Sequence, residues 1–257
     1  MPRPRWSTVW ITGASRGIGE ALALELARRG CTVAISARSV EDLERLAQTV
    51  RSGPLPGRLQ PYPLDVTDSD ACEAAFRRIE AELGPIDLCI LNAGSHQPVE
   101  LDDFSPLPFE SLLRLNVLGV VNGVAAVLPV WRRRRCGQLA IVASVAGYRG
   151  LPTATAYGAS KAALINFAEA LRLDLEGSGI VLNLINPGFV RTPLTDRNPF
   201  PMPFLLEPDD AARRILRGLE RGGFEIAFPR RFVIWLKLLR LLPYRLYFPL
   251  VRRITRP

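Results

Sequence analysis

Short runs of apolar, often β-branched residues recur along the chain, and between them apolar positions return every three or four residues. STVWITGAS, CTVAISARS, PYPLDVTD, IDLCILNAG, GQLAIVASVAG and GIVLNLINPGF are runs of the first kind. EALALELARRG, SVEDLERLAQTV and SDACEAAFRRIEAELG show the second pattern. Strands that are apolar throughout are covered on both faces, and strands alternating with helices build parallel sheets. The pattern therefore predicts a doubly wound α/β fold: one parallel sheet of about seven strands, helices on both faces and right-handed crossovers. Local chemistry agrees. Asp68 is placed to N-cap the helix after PLDVTD, and Gly84-Pro85 ends it. A last strand is expected at Phe224-Glu225-Ile226-Ala227-Phe228, so residues 1–228 read as one domain and 229–257 as a separate extension.

The chain has 257 residues and is 48% hydrophobic, which is enough for one large core and too much for a disordered chain. Residues 115–131 carry no charge and lie between Arg114 and the cluster Arg132 to Arg135. That length approaches a membrane span, but Asn116, Gly119, Asn122, Gly123 and Pro129 interrupt it, and a buried helix of the body is expected instead. The N-terminal apolar stretch is too short for a signal peptide. Four cysteines, Cys31, Cys72, Cys89 and Cys136, form no CxxC pair, so no metal site is expected and a reducing, cytoplasmic setting follows. The formal net charge is +8, yet residues 229–257 hold eight Lys/Arg and no Asp/Glu, which leaves 25 basic against 25 acidic residues in the body. The excess belongs to the tail alone.

After the first strand comes Thr12-Gly13-Ala14-Ser15-Arg16-Gly17-Ile18-Gly19, running directly into a helix. Gly13 permits a tight turn, Gly17 lets the backbone approach a pyrophosphate, and Gly19 allows close packing. The helix N-terminus then offers unpaired N–H groups and a positive dipole end to an anion. A strand–turn–helix context is what makes such a turn a dinucleotide site of Rossmann type, although GxxxGxG is not the commoner spacing. An NAD site usually places Asp or Glu about 20 residues on, against the ribose 2′-hydroxyl. Here Ile35-Ser36-Ala37-Arg38-Ser39 stands in that region, with no carboxylate before Glu41. Arg38 and Arg16 suit a 2′-phosphate, so NADP(H) is expected in preference to NAD(H).

Taken together, these features resemble the short-chain dehydrogenase/reductase family over residues 6–228. The resemblance is carried by TGASRGIG (12–19), Asp65-Val66, Asn92-Ala93-Gly94, Asn116, Ser144, Tyr157-Gly158-Ala159-Ser160-Lys161 and Pro187-Gly188 in that order. It implies that Gly13, Ser15, Arg16, Gly17, Ile18 and Gly19 hold the cofactor phosphates. It further implies that Asp65 and Val66 hold the adenine and that Asn92, Ala93 and Gly94 line the cofactor cleft. Pro187, Gly188 and Thr192 would approach the nicotinamide, and Asn116 would help a water-linked relay reach Lys161. A homodimer or homotetramer is the expected assembly.

The catalytic chemistry can also be argued from the residues. Reducing a ketone needs hydride at carbon and a proton at oxygen. Tyr157 can supply the proton, but a free phenol has a pKa of about 10 and exchanges poorly at neutral pH. Lys161 lies four residues on, one helical turn away on the same face, and its ammonium, together with the oxidised nicotinamide, favours the phenolate. Only Lys161 and Lys237 of the 33 basic residues are Lys, which makes a chance YxxxK less credible. Ser144, at a strand end, can donate a hydrogen bond to the substrate carbonyl. His96, the single histidine, reads as a loop residue beside the cleft.

Residues 191–208 read as the substrate loop. Leu194, Phe200, Met202, Phe204, Leu205 and Leu206 make it apolar, which suits either a hydrophobic carbonyl or alcohol substrate or packing on the protein itself. The tail, PRRFVIWLKLLRLLPYRLYFPLVRRITRP, has Leu246 to Val251 as its longest uncharged run, so it does not span a membrane. As a helix it would place Phe232, Trp235, Leu236, Leu239 and Leu242 on one apolar face and Lys237, Arg240 and Tyr244 on another stripe, with Pro243 and Pro249 breaking it into segments. Such an amphipathic helical extension fits the cytoplasmic face of an anionic membrane. A subunit interface or a cover for the core are the alternatives. Nucleic acid is not expected as a partner, because the tail is too apolar for a solvated phosphate-binding arm. The reading is thus an NADP(H)-dependent oxidoreductase, against the alternative of a non-catalytic dinucleotide-binding protein that docks through its tail.

Overall fold

The computed structural model describes residues 5–99, 101–102, 104–197 and 202–255. Seven strands form one sheet in the order β3-β2-β1-β4-β5-β6-β7, every neighbouring pair parallel. The strands are β1 (Thr8–Thr12), β2 (Thr32–Ser36), β3 (Arg58–Pro61), β4 (Leu88–Leu91), β5 (Gly137–Val142), β6 (Ile180–Pro187) and β7 (Glu225–Phe228). Helices α1 (Gly17–Arg28), α2 (Val40–Arg51), α3 (Ser69–Leu83), α4 (Leu107–Leu112), α5 (Gly119–Arg134), α6 (Thr155–Asp174) and α7 (Pro208–Arg221) connect them. As expected, the Asp68 side chain accepts from the Ala71 N–H at the start of α3, and Gly84 follows its end.

Successive strand residues point to opposite faces, and here both faces are dry. Val9, Ile11, Val33, Ile35 and Ile90 join one core layer with Leu22 and Leu26 of α1, Leu43 and Leu46 of α2, and Ile215 and Leu219 of α7. Trp10, Ala34, Cys89, Leu91 and Ile141 join the other with Phe76 of α3, Val124 and Trp131 of α5, and Leu164 of α6. This double covering explains why the strands lack polar alternation. Strand order reverses at β1, which neighbours both β2 and β4. The crevice beyond the carboxyl ends of strands at such a reversal is where doubly wound sheets bind ligands.

The uncharged run is part of a continuous helical stretch: α4, a π-helical segment Leu113–Leu118, then α5. Its length and apolar composition would suffice to cross a membrane. In the fold, Val120, Val124, Val127 and Trp131 face the core, whereas Leu113 and Leu118 are exposed. Burial is therefore confined to one side, not complete as the composition suggested.

Beyond β7 the tail forms α8 (Arg230–Leu241) and α9 (Tyr244–Thr255). Two details differ from the sequence reading. Pro243 separates the helices, but Pro249 lies inside α9 and does not end it. A proline removes the hydrogen bond to the carbonyl four residues back, here that of Arg245; both residues are exposed, so water can replace the bond. The expected apolar face of α8 also divides. Phe232, Leu236 and Leu239 pack on the core, while Trp235 is turned to the flank and is exposed. At about 100° per residue, Trp235 lies roughly 70° off the centre of the Phe232–Leu236–Leu239 row, so contact with the body selects one apolar side of the helix.

Polar bonds fasten the tail beside the strand ends. Glu225 of β7 accepts from Lys237 Nζ, from the Tyr148 hydroxyl and from Asn186 Nδ2 at 2.8 Å. Burial alone would raise the Glu225 carboxyl, but these three donors hold it below its ordinary value. Arg149 donates to the carbonyls of Leu239 and Leu242 near the end of α8, and its guanidinium lies 3.8 Å from the centre of the Tyr247 ring in α9.

Candidate active site

A cleft of about 740 Å³ opens at the carboxyl ends of β1, β2, β4, β5 and β6. That volume is in the range of small-molecule and cofactor sites. Gly13, Ser15, Arg16, Gly17 and Ile18 form its floor. The turn is tight: Gly13 has φ +67, and a Cβ there would stand 2.6 Å from Ala93 Cα. Gly19 does not reach the cleft, but a Cβ on it would lie 2.2 Å from the Gly13 carbonyl oxygen and 2.7 Å from Asn92 Nδ2. The turn is also held from β4, since Asn92 Nδ2 donates to the carbonyls of Thr12 (3.2 Å) and Gly13 (3.0 Å). Thr12 Oγ1 accepts from the Asn92 and Ala93 N–H groups at 3.1 and 3.2 Å. Thr12, whose role the motif pattern alone does not reveal, thus ties the β4 end to the turn. The cradle fits a dinucleotide phosphate: its backbone is bare where side chains would intrude, and it opens the N-terminus of α1.

Gly19→Ala is expected to destabilise the protein by roughly 1–3 kcal/mol, because the new methyl group meets backbone that cannot give way. Thermal unfolding should therefore show a lower Tm, and dinucleotide should raise that Tm less than it does for the wild type. An unchanged Tm would remove the packing argument.

The side walls carry charge. Arg16 and Arg38 are exposed residues that line the cleft at the ends of β1 and β2, with Asp65 and Val66 beyond β3. Asp65 Oδ1 accepts from the Thr67 N–H at 2.9 Å and its hydroxyl at 2.8 Å, and the Thr67 backbone bond leads in holding the carboxyl below its ordinary value.

Ser144, Tyr157 and Lys161 meet on the opposite wall, with Pro187, Gly188 and Thr192 at the end of β6 and just beyond it. Ser144 follows β5 by two residues; its Oγ accepts from the Ala146 N–H at 3.2 Å, donates to the Pro187 carbonyl at 3.4 Å and acts on the Tyr157 phenol. Tyr157 and Lys161 occupy the first two turns of α6. The Lys161 ammonium is buried, donates to the Val142 carbonyl at 3.0 Å and lies 5.7 Å from the centre of the Tyr157 ring. Burial pushes Lys161 down to about 8. It pushes the Tyr157 phenol up, and the nearby Ser144 hydroxyl only partly offsets this. The Lys161 cation is meanwhile turned toward Val142, and the depression of the phenol expected from Lys161 and the oxidised nicotinamide together concerns the loaded cleft.

Asn116 lies behind this wall and does not line the cleft. Its Oδ1 accepts from the Ser95 N–H at 2.8 Å, and its Nδ2 donates to the Ser95 carbonyl at 3.0 Å and to Ser160 Oγ at 2.9 Å. Ser160 Oγ in turn donates to the Tyr157 carbonyl at 2.7 Å. Gly94 makes room for this, since a Cβ there would lie 3.2 Å from Asn116 Oδ1 and 3.5 Å from Lys161 Nζ. His96 is buried and meets the Tyr157 ring edge-on at 4.8 Å between centroids, nearer to the tyrosine than its loop position suggested.

The loop expected to meet the substrate is pinned at its neck by a bridge between Val190 and Leu206. Arg191 N–H donates to the Leu206 carbonyl at 2.8 Å, and Leu206 N–H to the Phe189 carbonyl at 3.0 Å. Leu194 lines the cleft, Leu206 packs on the core, and Phe204 lies 6.2 Å from Phe232 of α8. The loop therefore faces both the cleft and the tail. Phe200 lies outside the described residues.

The family model described as short chain dehydrogenase matches residues 7–199. This chain belongs to the short-chain dehydrogenase/reductase family. Among curated relatives of this dehydrogenase/reductase is an uncharacterized oxidoreductase from Myxococcus xanthus, 38% identical over 257 residues, covering 99% of this chain and all of that one. A solved short-chain dehydrogenase from Sphingobium yanoikuyae, in complex with NADPH, is similar with a TM-score of 0.80 and 29% identity, over 90% of this chain and 91% of that chain. One from Burkholderia phymatum, in complex with NAD, shares the fold with a TM-score of 0.82 at 23% identity, over 93% of this chain and 94% of that one. This dehydrogenase/reductase is accordingly an oxidoreductase with a nicotinamide dinucleotide as its cofactor.

Proposed function

We propose that the protein is an NADP(H)-dependent reductase or dehydrogenase that interconverts a hydrophobic ketone or aldehyde and its alcohol. The observation that carries this reading is the meeting of the Ser144 hydroxyl and the Tyr157 phenol beside a buried Lys161, in the cleft that the glycine turn floors. When bound, the dinucleotide supplies the hydride. Tyr157 gives the proton to the developing alkoxide, and the raised phenol keeps that proton in place at neutral pH until then. The Ser144 hydroxyl donates to the substrate oxygen and orients it. Lys161, protonated below about 8, returns a proton to the tyrosine side. Asn116 is a positioning residue, holding Ser95 and, through Ser160, the backbone of Tyr157. In the opposite direction Tyr157 takes the alcohol proton and the same contacts serve.

Arg16 and Arg38 support the phosphorylated cofactor, since β2 ends without a carboxylate and both guanidinium groups face the cleft. The NADPH held by the Sphingobium relative agrees with this. Leu115, Val190, Pro193 and Leu194 give the cleft an apolar side, which supports a hydrophobic substrate. A protein that merely binds dinucleotide has no use for an ammonium buried beside a phenol, because burying that charge opposes folding.

The test is hydride transfer to a panel of long-chain and polycyclic carbonyls, with NADPH and NADH compared. Turnover should be faster with NADPH, and Arg38→Asp should move kcat/KM toward NADH by at least tenfold, or about 1.4 kcal/mol. No turnover with any panel member, despite NADPH binding, would refute the enzyme reading. An Arg38→Asp variant with unchanged preference would refute the role of that residue.

A further inference from the structure

The tail helix α8 is apolar on two opposite sides. Val233 and Leu236 are buried against the body, whereas Ile234, Trp235, Leu238 and Leu241 are 52–81% exposed. Helix α9 follows suit: Tyr247 and Val251 are buried, and Leu246, Leu250 and Ile254, four residues apart, are exposed. Folding the tail onto the body therefore leaves a second apolar surface uncovered. Arg230, Arg231, Arg240, Arg245, Arg252 and Arg253 are exposed along these helices, and no acidic residue occurs from 229 to 257.

We propose that the outer side of α8 and α9 docks on an anionic lipid bilayer, the helices lying in the headgroup plane with Ile234, Trp235, Leu238 and Leu241 inserted. Apolar side chains ringed by cations match a surface that is negative outside and apolar beneath. A second copy of this chain matches it less well. Its tail carries the same eight cations, and its body, with 25 basic and 25 acidic residues, has no net opposite charge to offer.

Docking would bring the bilayer close to the substrate loop. Phe232, on the inner side of α8, stacks on Phe189 at 5.6 Å and approaches Phe204 of the loop at 6.2 Å. A Cβ on Gly188 would stand 3.1 Å from Phe232. A helix with its side chains is about 10–12 Å across, so the loop lies about one helix from the lipid. This step rests on the reductase reading: the substrate is then a carbonyl or alcohol dissolved in the membrane, entering beside α8.

The experiment uses the full chain with vesicles of phosphatidylcholine, alone or mixed with phosphatidylglycerol. Trp6, Trp10 and Trp131 are at most 4% exposed and Trp235 is 66% exposed, so brominated lipid reports on Trp235. The protein should co-sediment with the anionic vesicles only, release as salt rises, and lose tryptophan emission to brominated lipid. Trp235→Phe should still sediment but without that quenching. The double variant Trp235→Glu, Leu238→Glu alters only exposed positions; it should stay in the supernatant and bind NADPH as the wild type does. Wild-type protein that ignores anionic vesicles would overturn the proposal, as would sedimentation without quenching. So would a wild-type oligomer, indifferent to lipid, that the double variant converts to monomer. None of these readouts needs turnover, so failure here leaves the reductase reading standing.

Discussion

Tyr157→Phe is expected to lower kcat for carbonyl reduction by about 10²–10⁴-fold, the range that a positioned general acid contributes. The substitution removes one hydroxyl and keeps the ring, so the edge-on packing with His96 survives. Ser144 keeps its bonds to the Ala146 N–H at 3.2 Å and the Pro187 carbonyl at 3.4 Å, so no buried donor is orphaned. Dinucleotide affinity, read by titration of NADPH fluorescence, should be unchanged. Single-turnover hydride transfer with saturating NADPH separates chemistry from binding. A variant that retains most of its turnover would mean that another group delivers the proton.

The second large effect runs in opposite directions for activity and stability. Lys161 falls from 10.5 to about 8 on burial, which corresponds to about 3 kcal/mol spent on holding a cation away from water. Lys161→Met fills a similar volume without that charge, at the loss of one hydrogen bond to Val142, a loss of roughly 1 kcal/mol. The variant should be catalytically dead yet unfold at higher temperature in the absence of cofactor. The sign of the pH dependence follows from the lowered value. Between about 8 and 10.5 the unfolded chain binds a proton that the folded protein does not, so wild-type stability rises with pH across that window. The Tm advantage of Lys161→Met should therefore be full below about 8 and shrink toward pH 10.5. A variant less stable than the wild type at pH 7 would show that the Val142 bond outweighs desolvation.

Much of the fold was legible because the burial of Val33, Ile35, Leu88 and Ile90 on one sheet face and of Trp10, Ala34, Cys89 and Leu91 on the other leaves an unbroken apolar signature. The site was legible because its chemistry fixes spacing. Tyr157 and Lys161 need one helical turn between them, and the glycine turn needs bare backbone at Gly13 and Gly19. What escaped the sequence depends on contacts between distant segments. The outer and inner sides of α8 are both apolar, and contacts such as those of Phe232 with Phe189 and Phe204 decide which one meets the body. The place of Asn116 behind the wall depends on Ser95 and Ser160, brought from two other elements. The phenol of Tyr157 follows the same rule, since desolvation cannot be read from residue spacing.

The Val190–Leu206 bridge has a consequence for how new specificities arise. The loop neck is closed by backbone bonds, which hold for almost any side chains placed between them. Residues beyond the neck can be exchanged as a cassette while β6 below and α7 after it stay in register. On the proposed reading, in which this loop meets the substrate, a lineage can trade one substrate for another without redesigning the reaction centre, and grafting a relative's loop between the same two positions is the corresponding route for an engineer.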